Sequence, residues 1–240
     1  MRFNKILASL VLGTALAGGI KVEAEPIASW NFNEGSGSVV YDSTGNNNIG
    51  YLEGGISWTE AGHSGSALYF DGLSGRINIP KTESMDLTEQ VSLEAWINRD
   101  GTQNGTIFSR NGPFYLGVQD NRLFAGVTCG HSEGWTFVQG TTQLEVGQWY
   151  NVAMSYDGTN LRGYVNGVQE DIQPRTGEMV VRSQQPYIGW GEPGQDQYFK
   201  GTIDDVKVHP SVIPEPSSTG LLGLIALGGF ALRRFKRNSR

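Results

Sequence analysis

The sequence predicts an all-β domain of two stacked antiparallel sheets, and three observations favour that class. Glycine makes up 34 of the 240 residues, roughly twice its usual share of ~7%, which indicates many turns. Hydrophobic residues at 38%, with 10% aromatic, are too frequent for a disordered chain. Between residues 27 and 210 no stretch of ten residues shows a convincing helical period, whereas an apolar–polar alternation of period two recurs throughout.

The alternation is clearest in two long segments, 91–98 and 149–156, each of which places its apolar residues on one face. Shorter β-branched or aromatic runs, bounded by Gly, Asn or Asp, predict further strands at 28–32, 67–70, 76–79, 106–109, 114–118, 123–127, 136–138, 161–165, 169–172, 187–188 and 202–208. Asn166-Gly167 predicts a hairpin, because this pair supplies the two positive φ angles of a type I′ turn. About a dozen strands suit two stacked sheets.

The N-terminal residues 1–24 are typical of a secretory signal peptide. A short basic start with Arg2 and Lys5 precedes an apolar run over 6–17, and small residues precede a cleavage point after Ala24. The apolar run is too short for a membrane anchor, which needs about 20 residues. We therefore expect export and a mature domain over 25–213.

The C-terminal residues 214–240 have three parts: Pro214-Glu215-Pro216, an apolar segment over 221–232 and a basic cluster over 233–237. This arrangement resembles the PEP-CTERM sorting signal, with a short hydrophobic sorting helix. The resemblance implies processing by an exosortase in a Gram-negative bacterium that makes extracellular polysaccharide. It also implies only transient membrane contact, and a location in the cell envelope or outside the cell. A plain tail anchor is the alternative.

Charge and cysteine content restrict the partners of the domain. Residues 25–218 contain 10 basic and 23 acidic side chains, a net charge of −13. Such a surface repels phosphate backbones and anionic lipid, so nucleic acid is not an expected partner. Cys129 is the single cysteine, which excludes an intrachain disulfide, and its apolar surroundings predict a buried, inert thiol.

Six motifs, in order along the chain, resemble the LamG-like jelly-roll domains of the concanavalin A-like lectins and glucanases. They are Trp30-Asn31-Phe32 with the loop that begins at Asp42, Ala67 to Gly72, Val91 to Trp96, Gly147 to Ala153, Tyr164 to Gly167, and Gly201 to Val206. The resemblance covers nearly all of 27–209 and implies a two-sheet jelly-roll sandwich. It leaves open whether the domain binds a glycan, hydrolyses one or only builds structure, because a fold does not fix a function.

Glycoside hydrolysis by this fold would need two carboxylates on one strand face. The chain contains no Glu-x-Asp sequence, and the adjacent pairs Glu170-Asp171 and Asp204-Asp205 should point to opposite faces of their strands. We therefore expect a noncatalytic binding or matrix protein. A hydrolase of the same fold and a structural protein without a ligand remain the alternatives.

A structural calcium ion is the cofactor that the sequence favours. Asp204 is in phase with Val206 and Val208, so its carboxylate should be buried and need a counter-charge. The family resemblance implies that Asp42 is its partner, since carboxylates near the first and last strands often hold calcium there, and Asp71 is a weaker candidate. The alternative is that Asp42 caps an Asx turn and that Asp204 is satisfied by an arginine or by backbone amides.

Aromatic side chains in loops are the candidates for glycan recognition, because an indole face stacks on the apolar face of a sugar ring. The candidates are Trp135, Trp190 and Tyr198, with packing inside the protein as the alternative role. The expected partner is a glycan or extracellular polysaccharide. No binding role is expected for the other tryptophans, which should lie in the core, or for the histidines, which should lie in solvated loops. These residues are Trp30, Trp96 and Trp149, and His63, His131 and His209.

Overall fold

The computed structural model describes residues 25–110, 112–130, 134–181, 183, 185–191 and 197–212. The predicted signal peptide (1–24) and sorting signal (214–240) lie outside the described residues. Within the described ranges, no helix is long and apolar enough to span a membrane.

The described part of the chain forms sixteen strands and one short 3-10 helix at Glu83–Met85. The strands are β1 (Ala28–Trp30), β2 (Val39–Val40), β3 (Gly50–Glu53), β4 (Ile56–Thr59), β5 (Ala67–Asp71), β6 (Arg76–Asn78), β7 (Val91–Arg99), β8 (Gly105–Arg110), β9 (Phe114–Gln119), β10 (Arg122–Thr128), β11 (Trp135–Gln139), β12 (Trp149–Tyr156), β13 (Asn160–Val165), β14 (Val168–Pro174), β15 (Pro186–Ile188) and β16 (Lys200–His209). All pairings between these strands are antiparallel.

The strands form two eight-stranded sheets that stack as a jelly-roll sandwich, as the sequence predicts. Sheet I has the order β14-β13-β12-β7-β16-β5-β4, with β1 paired to β16. Sheet II has the order β11-β10-β9-β8-β15-β6-β3-β2. Each sheet turns one face inward, so the core contains Leu93 and Ile97 from β7 and Leu116 and Val118 from β9. The outward residues of the same strands cover the two outer faces of the sandwich.

The predicted strands are confirmed, with ends that differ by at most two residues. The Asn166-Gly167 hairpin is also confirmed, with φ angles of 49° and 76°. Three strands, β2, β3 and β4, were not predicted from the sequence. They are two to four residues long, which is too short for an alternating pattern to be visible in the sequence.

The predicted orientation of Asp204 is wrong. Asp204 pairs with Trp96 across the sheet, whereas the preceding Ile203 pairs with the buried Ile97, so Asp204 belongs to the outer face. The register shifts between Asp204 and Lys207, where Asp205 has a φ of 46°. This β-bulge adds one residue and puts Asp204 out of phase with Val206. Asp204 is nevertheless fully buried, at 0% exposure.

The predicted core position of the tryptophans is right for one of three. Trp30 is fully buried, and its indole N–H donates to the carbonyl oxygen of Asn48 at 2.7 Å. Trp96 and Trp149 lie half-buried on the outer face of sheet I, because they occupy the outward positions of β7 and β12. Cys129 is buried as predicted, with 1% exposure.

Candidate functional site

A groove on the outer face of sheet II combines aromatic and amide side chains. It has a volume of about 260 Å³ and is lined by Tyr115, Gln119, Phe124, Trp135, Phe137, Gly191 and Gln197. A larger cavity of about 510 Å³ is lined by Gly130 and residues 176–181, and these include no aromatic side chain. The groove is therefore the candidate site, since ligand sites typically join apolar surface to a few polar groups. It is called the aromatic groove below.

Strand alternation builds the floor of the aromatic groove. In β9 and β10 the inward residues are buried, which leaves Tyr115 and Phe124 on the outer face. Phe137 of the edge strand β11 is 40% exposed. The Phe124 and Phe137 rings stack with centroids 4.6 Å apart, and the Trp135 and Phe137 rings stack at 5.5 Å. Tyr115 meets Phe124 edge-on at 6.2 Å. The rings thus form one continuous aromatic surface.

Gly126 gives these rings their position. It lies opposite both Tyr115 and Phe137 in the strand pairing. A Cβ atom at Gly126 would lie 2.5 Å from Cδ1 of Phe137 and 3.0 Å from Cε3 of Trp135. Any larger residue would therefore push both rings away from β10. Glycine inside a strand weakens the strand, and it often marks a close approach of another group.

Two glutamines supply the polar groups of the aromatic groove. The Tyr115 hydroxyl donates to Oε1 of Gln197 at 3.3 Å, which leaves the Gln197 NH₂ group as a donor. Burial raises the pKa of Tyr115 to about 12, so this hydroxyl stays protonated at neutral pH. The side-chain amide of Gln119 has no hydrogen-bond partner among the described residues. The groove therefore offers both donors and acceptors next to aromatic faces.

The three aromatic residues predicted from sequence lie in this region, but their surroundings differ. Trp135 lines the aromatic groove. Trp190 is only 7% exposed and packs between the Arg76 guanidinium, 5.0 Å from its ring, and Tyr187, whose ring meets it edge-on at 4.8 Å. The Tyr198 ring lies 6.2 Å from Trp190. Trp190 and Tyr198 are thus the chain neighbours of Gly191 and Gln197, which line the groove, and do not line it themselves.

Sequence reasoning missed most of the groove lining. Tyr115, Phe124 and Phe137 belong to predicted strands, and their outward positions in the alternation were the available signal. Gln119 continues the same outward alternation at the end of β9 and so carried the same signal. Gln197 carried none, because it lies far along the chain and only the tertiary structure brings it to Tyr115.

Asp42 holds its loop together through its carboxylate. Oδ1 accepts hydrogen bonds from the amides of Ser29 and Thr44 and from the Thr44 hydroxyl, and Oδ2 accepts two from Asn48, at 2.7 to 3.1 Å. Burial raises the pKa of Asp42, but these bonds outweigh it and the pKa is lowered. The carboxylate therefore acts as the Asx-type organiser of the 42–48 loop, and it does not fit a metal ligand.

Asp71 has a similar turn-forming role. Oδ1 accepts the amides of Leu73, Ser74 and Gly75 at 2.8 to 3.0 Å, and Oδ2 accepts the Ser74 hydroxyl at 3.0 Å. Burial alone would raise the pKa of Asp71, but the hydrogen bonds have the larger effect and lower the pKa to about 2. Its oxygens are occupied by donors, so Asp71 does not fit a metal ligand either.

Asp204 has fewer partners than the other two aspartates. Oδ2 accepts the Ser64 amide at 3.0 Å, and Oδ1 accepts the Asp205 amide at 2.8 Å. Burial, together with the charge of Asp205, outweighs these bonds and raises the pKa of Asp204. Among the described residues, no group of three or more His, Cys, Asp or Glu side chains could hold a metal. Calcium therefore stays a prediction, and it rests on Asp204.

The outer face of sheet I also carries aromatic side chains. The His63 ring stacks on Trp96 with centroids 3.5 Å apart and meets Trp149 edge-on at 5.8 Å. His63 is exposed, as expected for a loop residue, but it covers one face of Trp96. Lower on the same face, Glu94 pairs with Lys207 at 3.3 Å.

The fold and the groove define a jelly-roll β-sandwich with an open aromatic surface on one sheet. The chain belongs to the concanavalin A-like lectin/glucanase superfamily, since the Laminin_G_3 family model, which carries that description, matches residues 70–216. No curated protein matches the sequence.

Solved structures agree with this assignment at low sequence identity. Domain 4 of AbnA, an extracellular arabinanase of Geobacillus stearothermophilus in complex with arabinotriose, is 22% identical, with a TM-score of 0.63 over 83% of this chain and 99% of that domain. The binding domain of Paraclostridial Mosquitocidal Protein 1 is 12% identical, with a TM-score of 0.66 over 83% of this chain. The binding domain of Botulinum Neurotoxin DC, in complex with SialylT, is 15% identical, with a TM-score of 0.62 over 83% of this chain. This chain spans about half the length of the two toxin domains, 52% and 51%.

Proposed function

We propose that the protein is an exported, noncatalytic domain that binds carbohydrate through the aromatic groove, in the cell envelope or the extracellular polymer. The observation that carries this proposal is the groove itself, in which flat aromatic rings lie beside the amides of Gln119 and Gln197. A sugar ring has an apolar face that stacks on an aromatic ring, and its hydroxyls need donors and acceptors at the edge. The groove offers both.

The similar structures support a sugar ligand. The arabinanase domain, 99% of which this chain covers, was solved with arabinotriose, so a domain of this fold and size occurs in complex with a saccharide. The neurotoxin binding domain was solved with SialylT, but this chain spans only 51% of it, so that ligand is not assigned to the matched half. At 22% and 15% identity these ligands are not transferred to this chain. A glycan or extracellular polysaccharide is the proposed partner.

The carboxylates support a noncatalytic role. Glycosidases need two carboxyl groups that flank the scissile bond about 5 to 10 Å apart, and the described lining of the aromatic groove contains none. Glu170 accepts hydrogen bonds from Thr141 and Thr142, and Asp171 accepts one from the amide of Gln139. The expectation that this pair points to opposite faces is therefore wrong, because the register shift opposite Gly163 and Tyr164 interrupts the alternation. Both carboxylates instead join β14 of sheet I to the end of β11 in sheet II and the segment that follows it. Turnover of laminarin by the purified protein, lost on a single Asp or Glu substitution, would contradict the noncatalytic role.

Export and sorting rest on the two ends of the sequence, with an exosortase as the processing partner. The last described strand ends at His209, ahead of the sorting signal at 214–240. Deletion of 214–240 should therefore release soluble protein whose melting remains cooperative. Retention of the shortened protein in the membrane fraction would count against a sorting role of these residues.

A glycan array with the full-length protein tests the binding function directly. The proposal expects a defined subset of glycans to bind, and a variant that lacks the Trp135 indole to lose them. An array with no binding at any glycan would refute the proposal and favour a purely structural protein.

A further inference from the structure

The aromatic groove is uncharged along its described lining. Its side chains are four aromatic rings and two amides, together with Gly191. A carboxylate or sulfate that leaves water for such a surface loses its hydration and gains no counter-charge. A neutral hydroxyl instead loses little, because the amides of Gln119 and Gln197 replace its water partners.

The net charge of the whole domain also disfavours the binding of anionic ligands. Residues 25–218 carry a net charge of −13. A negative field repels polyanions within about a Debye length, ~8 Å at physiological ionic strength.

Two described cations lie near the aromatic groove and need separate treatment. Arg76, 5.0 Å from the Trp190 ring, is paired with Glu53 at 2.7 Å. Arg122 is paired with Gln119 across the hairpin of β9 and β10, so both residues share the outer face. With the Gln143 amide oriented so that its oxygen accepts, Nε and Nη2 of Arg122 donate to it at 3.0 and 3.1 Å. The guanidinium is therefore held by Gln143, and Arg122 is not part of the groove lining.

We infer that the aromatic groove selects neutral glycans and discriminates against uronate, sulfated and sialylated ones. This inference rests on the proposed carbohydrate-binding function and names its ligand class. The groove contributes through the cost of desolvating an unpaired anion, and the acidic surface contributes through repulsion.

Matched polymers test the selection, because they differ in charge alone. Full-length protein is titrated with galactan, mannan and β-1,3-glucan oligomers, and with the same oligomers after oxidation of their primary hydroxyls to carboxylates. Each neutral form that binds should bind at least tenfold more tightly than its carboxylated form. High salt should narrow the difference by screening the repulsion, and a preference should remain because desolvation is not screened.

Three substitutions test whether the groove is the origin of the selection. Gln119→Lys places a cation beside the rings and should raise the relative affinity for carboxylated oligomers at least fivefold, whereas the uncharged Gln119→Met should keep the preference for neutral forms. Arg122→Gln should leave the ratio of affinities unchanged.

The possible failures are distinguishable. Equal or tighter binding of the carboxylated oligomers would overturn the neutral selection and leave carbohydrate binding intact. Loss of such binding in Arg122→Gln would identify Arg122 as an anion site and also overturn the selection. Absence of binding to these oligomers and to a broad glycan array would overturn the proposed function, and the selection with it.

Discussion

The two outer faces of the sandwich both carry tryptophan, but their described surroundings differ. On sheet II, Trp135 and Phe137 lie beside a groove of about 260 Å³. On sheet I, the exposed ring of His63 stacks on Trp96 at 3.5 Å and covers it. An outward tryptophan is therefore not by itself a binding site.

The neighbouring loops explain the difference between the two faces. The loop before β5 is fixed over sheet I, because the Ser64 amide donates to Asp204 and the Ser66 hydroxyl donates to the carbonyl oxygen of Phe32 at 2.6 Å. On sheet II, Gly126 has no side chain, so the rings of β11 lie over β10, where Phe137 stays 40% exposed. The anchored loop before β5 covers the outer face of sheet I, whereas the absence of a Cβ at Gly126 keeps the groove on sheet II open.

Removal of the groove rings should have the largest effect. The double variant Trp135→Ala/Phe137→Ala should weaken glycan binding at least ~100-fold, since a single hot-spot aromatic typically costs 2 kcal/mol or more. Trp149→Ala, on the opposite face, should leave the affinity within twofold. Calorimetric titration measures both variants. Equal losses in the two would show that the comparison of faces is wrong.

Gly126→Ala should weaken glycan binding about tenfold, equivalent to ~1.4 kcal/mol. The added Cβ must displace the Phe137 and Trp135 rings, which lie 2.5 and 3.0 Å from it. The control is Gly134→Ala, because nothing lies within 4 Å of a Cβ at that position. The same titration, with circular dichroism to verify the fold, compares the two. Unchanged glycan affinity in Gly126→Ala would show that Gly126 is not needed to keep the groove open.

The calcium prediction concerns the closed face. An ion held at Asp204 by the folded state alone would add about 1.4 kcal/mol at ten times its Kd, a rise of roughly 3 to 6 °C in Tm for a domain of this size. Asp204→Asn should abolish the rise and Asp205→Asn should retain it, as measured by thermal melts in calcium and in chelator. No shift in the wild type would show that the Ser64 and Asp205 amides satisfy Asp204 without a metal.

The smallest expected effects concern acid stability, and they differ in sign between two carboxylates. Burial raises the pKa of Glu170, but hydrogen bonds from Thr141 and Thr142 outweigh it and lower the pKa to about 2. Its contribution to stability is thus present above the unfolded pKa of ~4.3 and is lost as the pH falls towards 2. Asp204 has a raised pKa, so its contribution is present below the unfolded pKa of ~3.9 and is lost as the pH rises.

Denaturation midpoints between pH 2 and pH 7 test this difference. Glu170→Gln should lower stability at pH 7 and flatten its fall in acid, whereas Asp204→Asn should make stability rise more steeply with pH. If stability changed with pH in the same way in both variants, the opposite contributions of Glu170 and Asp204 to acid stability would be contradicted.

The sequence predicts the strands well where the pattern is long. The alternation in β7 and β12 spans nine and eight residues, enough to show the period of two and the buried face. The strands β2 and β3 have two and four residues, and they form by pairing within sheet II, β2 with β3 and β3 with β6. No local pattern records such a partner.

The candidate site was predicted less completely. Trp135 was identified as an aromatic beside a glycine-rich loop, and it lines the aromatic groove. Trp190 was identified for the same reason, but Arg76 and Tyr187 enclose it. The sequence around Trp135 does not differ visibly from the sequence around Trp190, because the enclosing residues Arg76 and Tyr187 belong to the strands β6 and β15.

The sequence by itself determined the fold class, the inward faces of the long strands and the Asn166-Gly167 turn. Each of these depends on residues within a few positions of one another, through the alternation of side chains and the φ preferences of single residues. Only the tertiary structure decided that the bulge at Asp205 turns Asp204 to the outer face, that His63 covers Trp96, and that Gln197, which precedes β16, reaches Tyr115. These features depend on contacts between residues far apart in the chain, and such contacts exist only after the two sheets have formed.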